Sequence, residues 1–95
     1  MNGRAEQYSK MVKDTAELAD FFIDQEGGYF ILTVVCEILQ MLLQAGEPSA
    51  AFLMIKTVFQ VSGTEFPLKM DQEPDSRAFH AEQFAALLRE IVEPE

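Results

Sequence analysis

The chain has 95 residues, and its 16 acidic side chains outnumber its 7 basic ones, which gives a formal net charge of -9 at pH 7. A chain of this length lies near the lower end of the usual domain range, so the sequence predicts one domain over residues 1–95. Because an acidic surface repels phosphate backbones, the charge argues against direct binding of nucleic acid. With 48% hydrophobic residues, the composition is typical of a globular protein.

The cysteine content and the lengths of the apolar segments indicate the cellular compartment and whether a membrane anchor is expected. Cys36 is the only cysteine, so no intramolecular disulfide can form and we expect a reducing, cytoplasmic environment. The first residues lack the apolar stretch that a signal peptide requires. The longest apolar run, residues 29–43, is interrupted by Glu37 and Gln40 and is shorter than the roughly 20 residues that span a bilayer. The sequence therefore predicts no membrane anchor.

The first predicted helix runs from about Arg4 to Asp24. One apolar face follows a three-and-four spacing through Tyr8, Met11, Val12, Thr15, Leu18, Ala19, Phe22 and Ile23. The acids Asp14, Glu17, Asp20 and Asp24 are expected mostly on the opposite, hydrated face. Asp14 and Glu17 also match a capping box, which leaves open a kink or a later helix start near Asp14. The pair Gly27-Gly28 is expected to break the helix.

The second predicted helix covers residues 29–45 and is apolar around most of its circumference. Its only polar positions recur at spacings of four, three and four and form a narrow stripe: Thr33, Glu37, Gln40 and Gln44. The letters YFILTVV would also suit a buried strand, but the unbroken stripe and the length favour a helix that ends at Gly46. Such a helix is expected to be the buried centre of the fold.

The remaining chain predicts two more helices joined by a loop. Pro48 suits the first position of a third helix, which is again apolar on more than one face and ends at Ser62-Gly63. Residues 64–75 contain two prolines and clustered acids and predict an ordered loop. Asp75 or Ser76 is expected to cap a fourth helix, whose predicted core residues are Phe79, Phe84, Leu87, Leu88 and Ile91.

These elements predict an all-α fold, a small four-helix bundle in which the second and third helices form a central antiparallel apolar hairpin wrapped by the other two. Two consecutive helices with thin polar stripes carry more apolar surface than two amphipathic neighbours easily cover. We therefore expect a homodimer built mainly on the second or third helix, or else a hydrophobic groove for a different protein.

No catalytic, cofactor or metal site is predicted, although three groups of residues resemble parts of such sites. Asp71, Glu73, Asp75 and Glu82 follow EF-hand spacing, but Ser76 replaces the required glycine and Pro74 interrupts the loop. The acids of the first helix are expected to face away from the core, and His80 lacks the Glu that a helical carboxylate centre needs. A Cys36–His80 nucleophilic pair would require contact in space, and both residues are more typical of packing.

The predicted function is that of a small acidic cytoplasmic adaptor or regulator, not an enzyme, which occludes a protein partner through an apolar patch rimmed with acid. The partner would be basic or itself nucleic-acid-binding, and the carboxylates could then mimic phosphates. Methionines such as Met41 and Met54 suit either an adaptable surface or ordinary core filling. The alternative is a small-molecule-binding or enzymatic homodimer with Glu37 or His80 in a pocket between the apolar helices.

Overall fold

The computed structural model describes residues 3–64 and 76–93, and within them it contains the four predicted helices. The helices are α1 (Gly3–Ile23), α2 (Gly28–Gln44), α3 (Pro48–Ser62) and α4 (Ser76–Val92). No strand occurs in the described residues, so the segment YFILTVV is part of a helix. The all-helical fold predicted from the sequence is confirmed, whereas the predicted loop lies almost wholly outside the described residues.

Two adjacent glycines turn the chain between α1 and α2 for different reasons. Gly27 has a φ of +76°, a left-handed conformation that side chains other than glycine rarely adopt. Gly28 has ordinary backbone angles, but a Cβ on it would lie 1.4 Å from the carbonyl oxygen of Phe22. The start of α2 therefore packs directly on the backbone of the last turn of α1, and a side chain at Gly28 would separate the two helices.

The turn between α2 and α3 is closed by a Schellman motif. The N–H of Gly46 donates to the carbonyl of Leu43 at 3.1 Å, and that of Glu47 donates to Leu42 at 2.9 Å. Gly46 again has a positive φ, of 76°. Pro48 begins α3, where its missing N–H leaves no helical hydrogen bond unmade. The helix stop and start predicted from Gly46 and Pro48 are confirmed.

The core is built from one face of each helix. The largest fully buried side chains come from all four helices and are Phe59, Phe84, Met11, Leu18, Leu32, Leu39, Ile55, Leu88 and Thr15. On α2 the buried residues are Gly28, Leu32, Val35, Cys36 and Leu39, which share one side of the helix. The rings of Phe59 and Phe84 pack with centroids 5.6 Å apart and join α3 to α4.

The predicted central hairpin is only one of several extensive contacts. Each helix contacts the other three, and α2 packs more extensively against α4 than against α3. The Tyr29 hydroxyl donates to the carbonyl of Val92, and the Cys36 sulfur lies 4.0 Å from the carbonyl oxygen of Ala85. The small side chain of Ala85 allows the backbone of α4 to approach Cys36 closely.

Part of the predicted apolar face of α1 lies at the surface, because Tyr8, Val12 and Ile23 are exposed.

Two further expectations about single residues are wrong. Asp14 is buried, with 7% of its surface exposed, because it lies three residues after Met11 and four before Leu18 on the inward face of α1. The Lys10 ammonium donates to its carboxylate at 2.7 Å. Phe79 is 58% exposed, because five residues separate it from buried Phe84 and turn it about 140° around α4.

The burial of Leu39 generates a stability prediction. Leu39 is fully buried on α2, so Leu39→Ala leaves a cavity and is expected to lower the free energy of unfolding by about 2–5 kcal/mol. Met41→Ala is the matched control on the same helix, since Met41 is 67% exposed, and it is expected to cost less than about 0.5 kcal/mol. Denaturant titration measures both values. A decrease in the free energy of unfolding of less than about half a kcal/mol for Leu39→Ala would show that Leu39 is not part of the core.

Candidate protein-binding surface

A second apolar face of α2 points away from the core. Phe30 is 70% exposed and Met41 67%, and Ile31 and Ile38 are also exposed. Val34, between them on the same side of the helix, is half-buried. We call these five residues the α2 stripe: Phe30, Ile31, Val34, Ile38 and Met41. The expectation that α2 is buried around most of its circumference is therefore wrong for this side.

The α2 stripe has the spacing of a helix-packing seam. Ile31, Val34, Ile38 and Met41 are separated by three, four and three residues, and Ala45 extends the series by four. A three-and-four alternation keeps side chains on one narrow line along a helix, as at the a and d positions of a coiled coil. The line from residue 31 to residue 45 is about 21 Å long at 1.5 Å per residue. It offers a partner helix about four turns of contact.

One edge of the α2 stripe is polar and acidic. Glu37 and Gln44 are exposed beside the stripe, and α2 contains no basic residue. From residue 14 to residue 55 the sequence has seven acids and no lysine or arginine. The opposite edge, formed by Val35 and Leu42, turns into the core of the protein itself. A molecule lying on the stripe therefore meets the Glu37 carboxylate on one side.

A second exposed apolar face lies on α3. Leu53 is 64% exposed and Val61 is 61% exposed, and the exposed residues Ala50 and Thr57 lie on the same side of the helix. The Thr57 hydroxyl donates to the carbonyl of Leu53 at 2.9 Å, so its hydrogen is already used within the helix. This α3 face, defined as Ala50, Leu53, Thr57 and Val61, contains no charged side chain.

The two residues of the possible nucleophile–base pair, Cys36 and His80, are not brought together. Cys36 is buried against the carbonyl of Ala85 on α4, and His80 is five residues earlier on that helix. Five residues correspond to about 7.5 Å along the axis and about 140° around it. The imidazole of His80 packs instead against the ring of Phe79, with centroids 5.5 Å apart.

The acids of the first predicted helix are not brought together either. Asp14 is buried beside Lys10, whereas Glu17 and Asp20 on α1 and Asp24 just after it are exposed. Asp71, Glu73 and Asp75 of the calcium hypothesis lie outside the described residues, and Glu82 is an exposed residue of α4. Within residues 3–64 and 76–93, no group of three His, Cys, Asp or Glu side chains is arranged to hold a metal ion.

A shallow groove of about 280 Å³ lies between α2 and α4. Its volume falls just below the roughly 300–1,000 Å³ of typical small-molecule sites, and it is open to solvent. Its lining is mixed polar and apolar: Gln40, Leu43, Gln44, Glu82, Ala85, Ala86 and Arg89. Glu37 and His80, the polar groups proposed for a pocket between the apolar helices, do not line this groove.

Comparison of the chain with protein-family models, with curated proteins and with solved structures finds no match. Its physical features are therefore the basis for assigning a function. Among the described helices, none combines the length and the apolar character needed to cross a membrane.

The environment of Cys36 predicts low thiol reactivity. Burial raises the pKa of the Cys36 thiol; the nearby Arg89 lowers it, and Glu93 and Glu37 raise it further. Because the thiolate is the reactive form, a raised pKa and a covered sulfur both slow the reaction. We expect labelling by a thiol reagent at pH 7 to be at least about tenfold slower in the native protein than in the urea-unfolded chain. Equal rates would contradict this and restore Cys36 as a candidate nucleophile.

Proposed function

We propose that this chain is a small protein-binding adaptor or regulator that acts by occluding a surface of its partner through the α2 stripe, with no chemistry of its own. The observation that carries the proposal is the line of apolar side chains along α2 that the other three helices leave uncovered. Phe30 and Met41, at opposite ends of this line, are each about two thirds exposed.

Physical chemistry supports a binding role for such a surface. Single exposed apolar residues are common on proteins, but a contiguous apolar line rimmed by polar groups is typical of an interaction site. Phe30 offers a large aromatic contact area, and the unbranched thioether of Met41 adapts to an uneven partner surface. Glu37 at the edge would select against acidic partners and favour basic ones. The α2 stripe thus combines an apolar centre with one polar edge that carries the Glu37 carboxylate.

The alternative of a small-molecule-binding or enzymatic homodimer has less support. The groove between α2 and α4 is shallow and open, and Glu37 and His80 do not line it. The thiol of Cys36 is buried, with its pKa raised by burial. These features favour a binding protein over an enzyme.

A second candidate role, self-association, is favoured by the α3 face. Two chains of charge -9 repel each other, so a two-fold contact is least costly where no acid is brought to the interface. The α3 face carries no charge, and Lys56, the only charged residue of α3, lies over the ring of Phe52 at 5.8 Å. In the assembly that we propose, four-helix bundles pair through α3, and the α2 stripe stays open for the partner.

Site-specific photocrosslinking tests the binding function. A photoreactive residue replaces Met41 in one variant and Ala16, an exposed residue of α1, in the control, and both chains are expressed in the cells that make the protein. We expect a discrete adduct with another protein from position 41 and none from position 16. If position 41 gives no adduct, or if both positions give the same mixture, the α2 stripe is not the binding surface.

Sedimentation at micromolar concentration tests self-association. We expect a dimer that becomes stronger as salt is raised, because salt screens the repulsion between the acidic chains. Leu53→Glu places two new carboxylates at the interface and is expected to give monomers, whereas Ala16→Glu adds the same charge on α1 and leaves the dimer intact. A monomer at both low and high salt would contradict the dimer. A Leu53→Glu variant that still associates would show that the α3 face is not the interface.

A further inference from the structure

We propose that the partner segment that fills the α2 stripe is a single amphipathic helix whose own apolar seam is flanked by lysine or arginine. This inference rests on the proposed binding function and adds the chemical class of the partner. It is carried by two independent features of the described residues, the spacing of the stripe and the distribution of charge beside it.

The spacing selects a helix over an extended strand or a flat surface. The series Ile31, Val34, Ile38, Met41 and Ala45 alternates between three and four residues and so follows a nearly straight line on α2. A helix with the same alternation can insert its side chains between these residues along about 21 Å. An extended strand has a side-chain period of two and needs an open sheet edge for its backbone hydrogen bonds, which a helix surface does not provide.

The charge distribution selects a cationic helix. Glu37 lies beside the middle of the seam, in the position that flanks the a and d residues in a coiled coil. Asp24 and Glu26 precede α2, and Glu47 follows it, so acids also lie beyond both ends of the seam. The sequence has no lysine or arginine between residues 14 and 55. Arg89, which lines the neighbouring groove between α2 and α4, is paired with the Glu93 carboxylate at 3.6 Å. Lysine or arginine opposite Glu37 gives the complementary pairing.

The same charges disfavour a second copy of this chain on the α2 stripe. Because α2 contains no basic residue, another α2 helix offers no cation to Glu37. In an antiparallel pair centred on the seam, the two Glu37 carboxylates would face each other across the two-fold axis. Such like-charge contacts are unfavourable in an interface. A different protein chain with a basic amphipathic helix is therefore the better occupant.

Two synthetic peptides of about four helical turns test the class of partner against the full chain. Both carry the same leucine and isoleucine seam; one has lysine at the flanking positions and the other has glutamate. Fluorescence anisotropy measures each Kd at concentrations at which the free peptides are monomeric. We expect the lysine peptide to bind at least about tenfold more tightly than the glutamate peptide, since rim pairs and the net charge both favour it.

Charge-swapped variants separate a local contact from the overall charge. Glu37→Lys is expected to weaken binding of the lysine peptide at least about fivefold and to strengthen binding of the glutamate peptide. Glu90→Lys makes the same change in net charge on α4. Tyr29 and Cys36, which contact α4, lie about 150–170° around α2 from the centre of the stripe. We therefore expect Glu90→Lys to change either Kd by less than about twofold. Circular dichroism confirms that both exposed-site variants are folded.

The outcomes distinguish failure of this inference from failure of the proposed function. If both peptides bind equally, or if Glu37→Lys and Glu90→Lys have equal effects, the cationic helix is wrong, although the stripe still binds helices. If neither peptide binds while position 41 still crosslinks to a protein in cells, the partner is not such a helix and the binding function stands. A crosslink at position 41 to a second copy of this chain would overturn the choice of occupant.

Discussion

The apolar side chains of α2 surround most of the helix, and the three neighbouring helices cover them from one side only. Leu32 and Leu39 are fully buried, whereas Phe30 and Met41, on the other side of the same helix, are about two thirds exposed. The rest of the structure depends on which side of α2 packs against the other three helices.

The choice of side depends on the neighbours of α2. Gly28 allows α1 to pack on the first turn of α2, and small Ala85 allows α4 to pack beside Cys36. These close approaches determine that Leu32, Val35 and Leu39 face inward. Burying such residues contributes roughly 1.5–3 kcal/mol each, which is the main source of stability in a small helical protein. The exposed stripe contributes nothing comparable until a partner covers it.

Much of the fold could be predicted from the sequence, because caps and periodicity are local signals. Gly46 and Pro48 determined the ends of α2 and α3 through backbone conformation, which does not depend on tertiary packing. The sequence predicts a solvent-exposed Asp14, because charged side chains usually face water. Its three-and-four spacing to Met11 and Leu18 nevertheless places it on the inward face of α1. The length of the Lys10 side chain allows an ammonium to reach this buried carboxylate from the surface.

The candidate site was harder to predict, because two seams with similar spacing exist on one helix. Leu32, Val35 and Leu39 form one, and Ile31, Val34, Ile38 and Met41 form the other. Both seams are apolar, and no local feature of the sequence indicates which of them packs against the core. The surplus of apolar residues on α2 predicted that some surface would remain without cover. The position of that surface required the packing of α1 and α4, which is a long-range property of the chain.

The most direct test of this two-sided α2 is the solvent accessibility of its methyl groups in the isolated protein. NMR of methyl-labelled chain with a soluble paramagnetic agent reports that accessibility for each residue. If the α2 stripe is uncovered, the methyl signals of Ile31, Ile38 and Met41 will broaden strongly, and those of Leu39, Ile55 and Met11 will be protected. Protection of Ile38 and Met41 equal to that of Ile55 would contradict an open binding surface on α2.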